Sequence, residues 1–140
     1  MPIAYSLAYQ SIPTPRLTAE ALLDILVTAR RFNAEHRITG LLLVGKGRVL
    51  EFLEGPEAAV RDLYTRIAHD PRHTAVTLLA DGPATQREFP DWAMAFVRDA
   101  PTPAPFPGEL NLSHLHYLLG REHNFSPETA ARVAAWLAGA

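Results

Sequence analysis

The chain reads as an α/β (α+β) protein of the ferredoxin-like sandwich type. This is a mixed five-stranded sheet in the order β-α-β-β-α-β-β, with two helices on one face and C-terminal helices beyond. Three observations predict it. Residues 38–55 form two apolar runs around Gly45-Lys46-Gly47, a hairpin whose strands are apolar at nearly every position, as in strands covered on both faces. One segment on each side of that hairpin carries apolar residues at helical spacing. Short alternating segments lie at either end, and right-handed crossovers put both long helices on the same face.

Taken in order, Ile3, Tyr5, Leu7 and Tyr9 alternate with smaller or polar residues and predict a first strand ending near Ser11. Pro13 and Pro15 mark a loop. Thr18 is a candidate N-cap for a helix to about Glu35, with Leu22, Ile25, Leu26, Ala29 and Phe32 on one face. The hairpin supplies strands two and three. Pro56 opens a second helix at its first position; its stripe is Val60, Leu63, Tyr64 and Ile67, and it ends near Asp70-Pro71. Residues 76–79 read as strand four, and Trp92, Met94 and Phe96 alternate as strand five. Residues 101–108 hold four prolines and read as a linker. A short helix is predicted near 113–119, and a last one opens at Ser126-Pro127-Glu128 with Val133, Trp136 and Leu137 on its apolar side. The spans are therefore a sheet domain over 1–98, a linker over 99–112, and a helical extension over 113–140 that covers the second sheet face or a partner.

Glu51 breaks the hairpin's pattern. Val49, Glu51 and Leu53 share one face of the strand, and Leu50 and Phe52 the other. A carboxylate among apolar strand neighbours is costly unless paired, protonated or bound to something.

Composition narrows the class. At 140 residues the chain is long enough for one domain with a real core, and its net charge is −2. No basic run points to nucleic acid, and Arg30-Arg31 reads as a solvated helix face. The chain has no cysteine, which excludes disulfides and thiolate chemistry and fits a reducing, cytoplasmic setting. No apolar stretch predicts a membrane span or signal peptide. His114 and His116 stand two apart in a predicted helix and so point in different directions, which argues against a metal site. No Ser-His-Asp order or glycine-rich phosphate loop is present, so no enzyme activity is predicted.

The strings Leu7-Ala8-Tyr9-Gln10-Ser11, Phe32-Asn33-Ala34 with Ile38-Thr39-Gly40-Leu41-Leu42, Phe52-Leu53-Glu54-Gly55, Asp70-Pro71-Arg72-His73 and Phe89-Pro90-Asp91-Trp92-Ala93-Met94 together resemble the BLUF family, blue-light sensors that use flavin adenine dinucleotide. The resemblance covers roughly residues 1–98. It implies a flavin ring between the two long helices, flanked by Ile25 and Ile67, with Asn33 on the ring's polar edge. Arg72 and His73 would lie near the ribityl and phosphate portion. Tyr9 would be the electron and proton donor, and Trp92 and Met94 the residues that change contacts on signalling. FAD is the implied cofactor, with FMN or riboflavin as alternatives.

At one position the chain departs from the family. Glu51 stands where the family has the glutamine that bridges the tyrosine hydroxyl and flavin N5, and whose hydrogen bonding shifts toward O4 after light. An ionised carboxylate only accepts, as N5 and O4 do, while a protonated one donates once. Burial raises a carboxyl's pKa, so a neutral Glu51 is consistent with such a site. Phe32 is a second departure, where the family often has a polar residue. The function expected is a flavin-binding photoreceptor with an altered photocycle, signalling through contacts with a downstream protein and self-associating as a homo-oligomer. The alternative is a flavin-free or light-inert interaction module.

Overall fold

A computed structural model of the chain describes residues 3–45, 47–90, 92–98, 109–110 and 125–139. Its strands are β1 (Ala4–Pro13), β2 (Thr39–Gly45), β3 (Arg48–Gly55), β4 (His73–Ala84), β5 (Ala95–Arg98) and β6 (Glu109–Leu110). Its helices are α1 (Ala19–His36), α2 (Glu57–Ala68) and α3 (Pro127–Ala138). Among the described residues the strands form one sheet in the order β4-β1-β3-β2-β5-β6. The first four pair antiparallel, and β5 and β6 continue in parallel from β2. The mixed ferredoxin-like arrangement is therefore present, with six strands rather than five.

Local chemistry sets the boundaries. The Thr18 hydroxyl accepts from the Ala21 N–H at 3.1 Å and starts α1. Arg37 ends that helix in the left-handed region, φ 58°, with its N–H turned back to the Asn33 carbonyl. Pro56 is the N-cap of α2 rather than its first residue, a shift of one position. Gly40 is required by a close approach: a Cβ there would lie 2.0 Å from the Phe52 carbonyl oxygen on the adjacent strand.

Three expectations are corrected. Strand β4 runs the length of β1, well beyond 76–79, because backbone pairing with β1 carries it where side-chain alternation is weak. Strand β5 starts at Ala95, after Trp92 and Met94. The carbonyls of Ala93 and Met94 are taken by side chains from α1, not by the ladder. Glu109 and Leu110, inside the segment read as a linker, pair in parallel with Phe96 and Val97, and Glu109 forms a buried ion pair with Arg98 at 2.7 Å. The remainder of that segment and the helix expected near 113–119 lie outside the described residues.

The sheet separates two apolar clusters. Tyr5, Leu7, Tyr9, Val49, Leu53 and Phe96 face α1 and α2 on the inner side. Ala8, Leu41, Leu43, Leu50 and Phe52 face outward and pack against Phe125, Val133 and Trp136. Helix α3 covers that outer face, started by a Ser126 cap on the Thr129 N–H.

Candidate functional site

A cavity of about 340 Å³ lies between α1 and α2 above the inner face of the sheet. Ligand pockets run from roughly 300 to 1,000 Å³, so it can hold a small planar ring system. Ile25 and Ala29 line it from α1, Leu63 and Ile67 from α2, and Leu42, Val44 and Val49 from the floor. The helical stripes that would normally meet over a sheet stand apart here and leave two aliphatic walls.

The polar groups of the cavity come from β1, β3, β4, both long helices and the loop before β4. Tyr9 on β1 and Glu51 on β3 are cross-strand partners, 3% and 6% exposed, and the Tyr9 hydroxyl donates to Glu51 Oε1. Burial pushes the Glu51 carboxyl up to about 7, against the lowering effect of that hydrogen bond. Burial, and then the Glu51 charge, hold the Tyr9 phenol well above its ordinary value. Asn33, fully buried in the last turn of α1, donates its amide to the Ala93 carbonyl at 2.6 Å, while its Oδ1 is buried with no partner. A buried amide oxygen without a donor costs about 1–3 kcal/mol. It is the kind of acceptor that the N–H of a heterocycle would satisfy.

At the mouth, Arg72 grips Asp70 at 2.6 Å and approaches Asp24 of α1 at 3.9 Å. The Arg72 hydrogen bond draws the Asp70 carboxyl down. A second hollow, shared through Arg66, Asp70 and Arg72, continues outward to Arg16. His73 lines the cavity with both ring nitrogens engaged, Nδ1 with Ser11 Oγ at 2.8 Å and Nε2 with the Ile67 carbonyl at 2.6 Å. It is therefore a wall held in one orientation.

The profile of a family described as sensors of blue light using FAD matches residues 4–95. The chain belongs to the BLUF family. It is 42% identical over 90 residues, 64% of its length, to the photoactivated adenylate cyclase subunit beta of Euglena gracilis. Those residues are 10% of the relative, so the chain spans about a tenth of that protein's length. Among solved structures, the dark-state BLUF protein BlrB superposes with a TM-score of 0.66 at 33% identity, covering 70% of this chain and 74% of that one. Klebsiella pneumoniae BlrP1 with FMN and cyclic diGMP gives 0.73 at 25% identity, covering 96% of this chain and 34% of that one. The chain is thus a BLUF domain, a flavin-binding blue-light sensor module.

Within this BLUF domain the structure brings Tyr9, Ile25, Asn33, Glu51, Ile67, Arg72, His73 and Met94 around one cavity. Trp92 stands apart: it stacks on Phe89 at 5.9 Å and packs against the outer cluster, and it does not line the cavity. Two contributors were not legible as such. Arg30, read as solvated, is half-buried and donates Nε and Nη2 to the Met94 carbonyl at 3.3 and 3.2 Å. Glu54, 2% exposed, accepts from the N–H groups of Glu88 and Phe89, each at 2.8 Å, and from Thr39. Together they fix the segment between β4 and β5 that delivers Met94 to the cavity. A charge in an otherwise apolar strand was the signal for Glu54, the same signal that marked Glu51.

Proposed function

We propose that this BLUF domain binds FAD between α1 and α2 and that Glu51 makes its light response depend on pH. The observation that carries this reading is the Tyr9–Glu51 hydrogen bond at the wall of an aliphatic cavity that Asn33, with its unpartnered buried oxygen, also lines. Ile25 and Ile67 supply the two flat walls, and Asn33 the polar edge. Arg72, with Arg66 and Arg16 beyond it, supplies cationic surface that suits a phosphate-bearing flavin over riboflavin.

When bound, a photoexcited flavin supplies a strong one-electron oxidant. Tyr9 would give the electron, and its phenolic proton would pass along the existing hydrogen bond to Glu51 Oε1. Where Glu51 is ionised, the proton lodges on it and returns with the electron, so no hydrogen-bond change lasts. A neutral Glu51 has instead one proton to offer into the cavity. The family's amide can donate in two orientations, whereas this carboxyl changes its donor capacity by titrating. The lasting hydrogen-bond change of the family is therefore diminished here and confined to the protonated form. Signal leaves through Met94 and β5 to a partner protein, by changed contacts of the outer face or its helix; the occurrence of a similar domain in an adenylate cyclase subunit supports an output of this kind.

The cofactor is tested by releasing it from the purified protein with heat and identifying it chromatographically, then titrating apoprotein with FAD, FMN and riboflavin. FAD in the supernatant and saturable binding tightest for FAD are expected. Absence of saturable binding by any of the three would overturn the reading.

A further inference from the structure

On the opposite face of the same two strands lies a third, smaller hollow of about 160 Å³, under α3. We propose that it is a binding site for a small organic carboxylate. Its polar lining is Arg48 from β3, Arg132 from α3 and Gln10 from β1, and its walls include Leu50, Leu79 and Trp136.

The charge in this hollow is one-sided. It has no Asp or Glu in its lining, and neither Arg48 nor Arg132 forms an ion pair among the described residues. Arg48 spends Nη2 on the Ala135 carbonyl at 3.0 Å, and its Nε is buried with no acceptor. A buried guanidinium N–H left unpaired is costly, and a carboxylate oxygen would satisfy it. Arg132 adds a second guanidinium fork and Gln10 a neutral amide, the donor set that recognises a planar carboxylate. The apolar walls suit an acid with a short hydrocarbon part better than a strongly hydrated phosphate.

The placement gives such a site consequence. Gln10 and Leu50 are cross-strand partners, and the adjacent pair is Tyr9 and Glu51. Val49 lines both this hollow and the cavity between α1 and α2. An acid held here bears on the two strands that carry the flavin-site hydrogen bond, from behind. The proposal stands on these residues alone and does not require flavin to be bound.

Trp136 reports on it, because its indole N–H donates to the Arg48 carbonyl at 3.4 Å. Nitrogen-15 labelled full-length protein is titrated with sodium propionate, with propionamide and with inorganic phosphate, following the two indole signals. The expected result is a saturable shift of the Trp136 signal with propionate, none with propionamide, weaker binding of phosphate, and an unmoved Trp92 signal. Arg132→Gln should weaken propionate binding about tenfold or more while keeping the dispersed indole signals of a folded protein, and Gln10→Leu should weaken it less. A parallel titration with N-acetylglutamate amide separates the sources: tighter binding than propionate assigns the site to a glutamate of a partner protein, weaker binding to a free acid. No saturable shift, equal shifts with propionamide, or wild-type affinity in Arg132→Gln would overturn the proposal.

Discussion

The inner and outer faces of β1 and β3 are made from alternate residues of the same strands, yet they are built on opposite rules. Outward, Leu50 and Phe52 meet Phe125, Val133 and Trp136, and α3 closes the layer. Inward, Val49 and Leu53 flank a carboxylate hydrogen-bonded to a phenol, and the helices stand apart over a cavity. The difference teaches where the chain is optimised for packing and where it tolerates a cost. Where α3 packs, the outer face is closed by apolar contacts and opens at the small hollow beside Arg48. A face that exists for a ligand keeps a void and a buried ionisable group, each unfavourable until something occupies it.

The largest test of that contrast is in stability. Trp136 is 1% exposed at the centre of the outer layer, so Trp136→Ala should cost about 3–5 kcal/mol. Ile25 already borders the cavity, so Ile25→Ala in flavin-free protein should cost under about 1 kcal/mol, since little contact is lost. Urea unfolding of both variants checks this; equal losses would break the distinction between the faces.

The buried carboxyl sharpens it by pH. The folded pKa of Glu51 is raised from 4.5 to about 7, so the native state holds the proton more tightly than the unfolded chain. Stability from this group is full below about 4.5 and is lost as pH rises through 7. The whole loss is on the order of 3 kcal/mol. Flavin-free Glu51→Gln should lack this slope, gaining on the parent as pH rises. Parallel pH profiles of the two proteins would show that Glu51 is not desolvated.

Binding provides a smaller contrast. Asn33→Ala should weaken flavin affinity by roughly 1–3 kcal/mol, about five- to 150-fold. Trp92→Ala, removed from the outer side of the segment, should change it only a few-fold. Equal dissociation constants would count against Asn33 as the ligand of the ring edge. Smaller again, Arg30→Met should cost about 1 kcal/mol and speed amide hydrogen exchange in β5, because Arg30 holds the Met94 carbonyl.

The reach of the sequence follows the same division. The hairpin, both long helices and the last helix could be read because burial leaves a period in the side chains, 2 for strands and 3.6 for helices. Glu51 was conspicuous because it interrupts such a period. The length of β4 and the pairing of β6 were not legible, since backbone hydrogen bonds carry them and leave no pattern in side chains. Arg30 was misread because a guanidinium on a helix face looks the same whether it meets solvent or a carbonyl 64 residues away. Alternation put Trp92 on one face with Met94 and Phe96, whereas it packs in the outer cluster, because the segment before β5 is held by side chains from α1 and does not alternate as a strand would.

The central claim is that a titrating carboxyl at position 51 replaces a rotating amide in controlling the light response. It is tested by difference spectroscopy under blue light, on flavin-loaded protein and on Glu51→Gln, at pH values on either side of 7. The account predicts a small or short-lived red shift in the parent that is present at low pH and vanishes as Glu51 ionises, and a full, pH-independent, reversible red shift in Glu51→Gln. A full and pH-independent shift in the parent would contradict it.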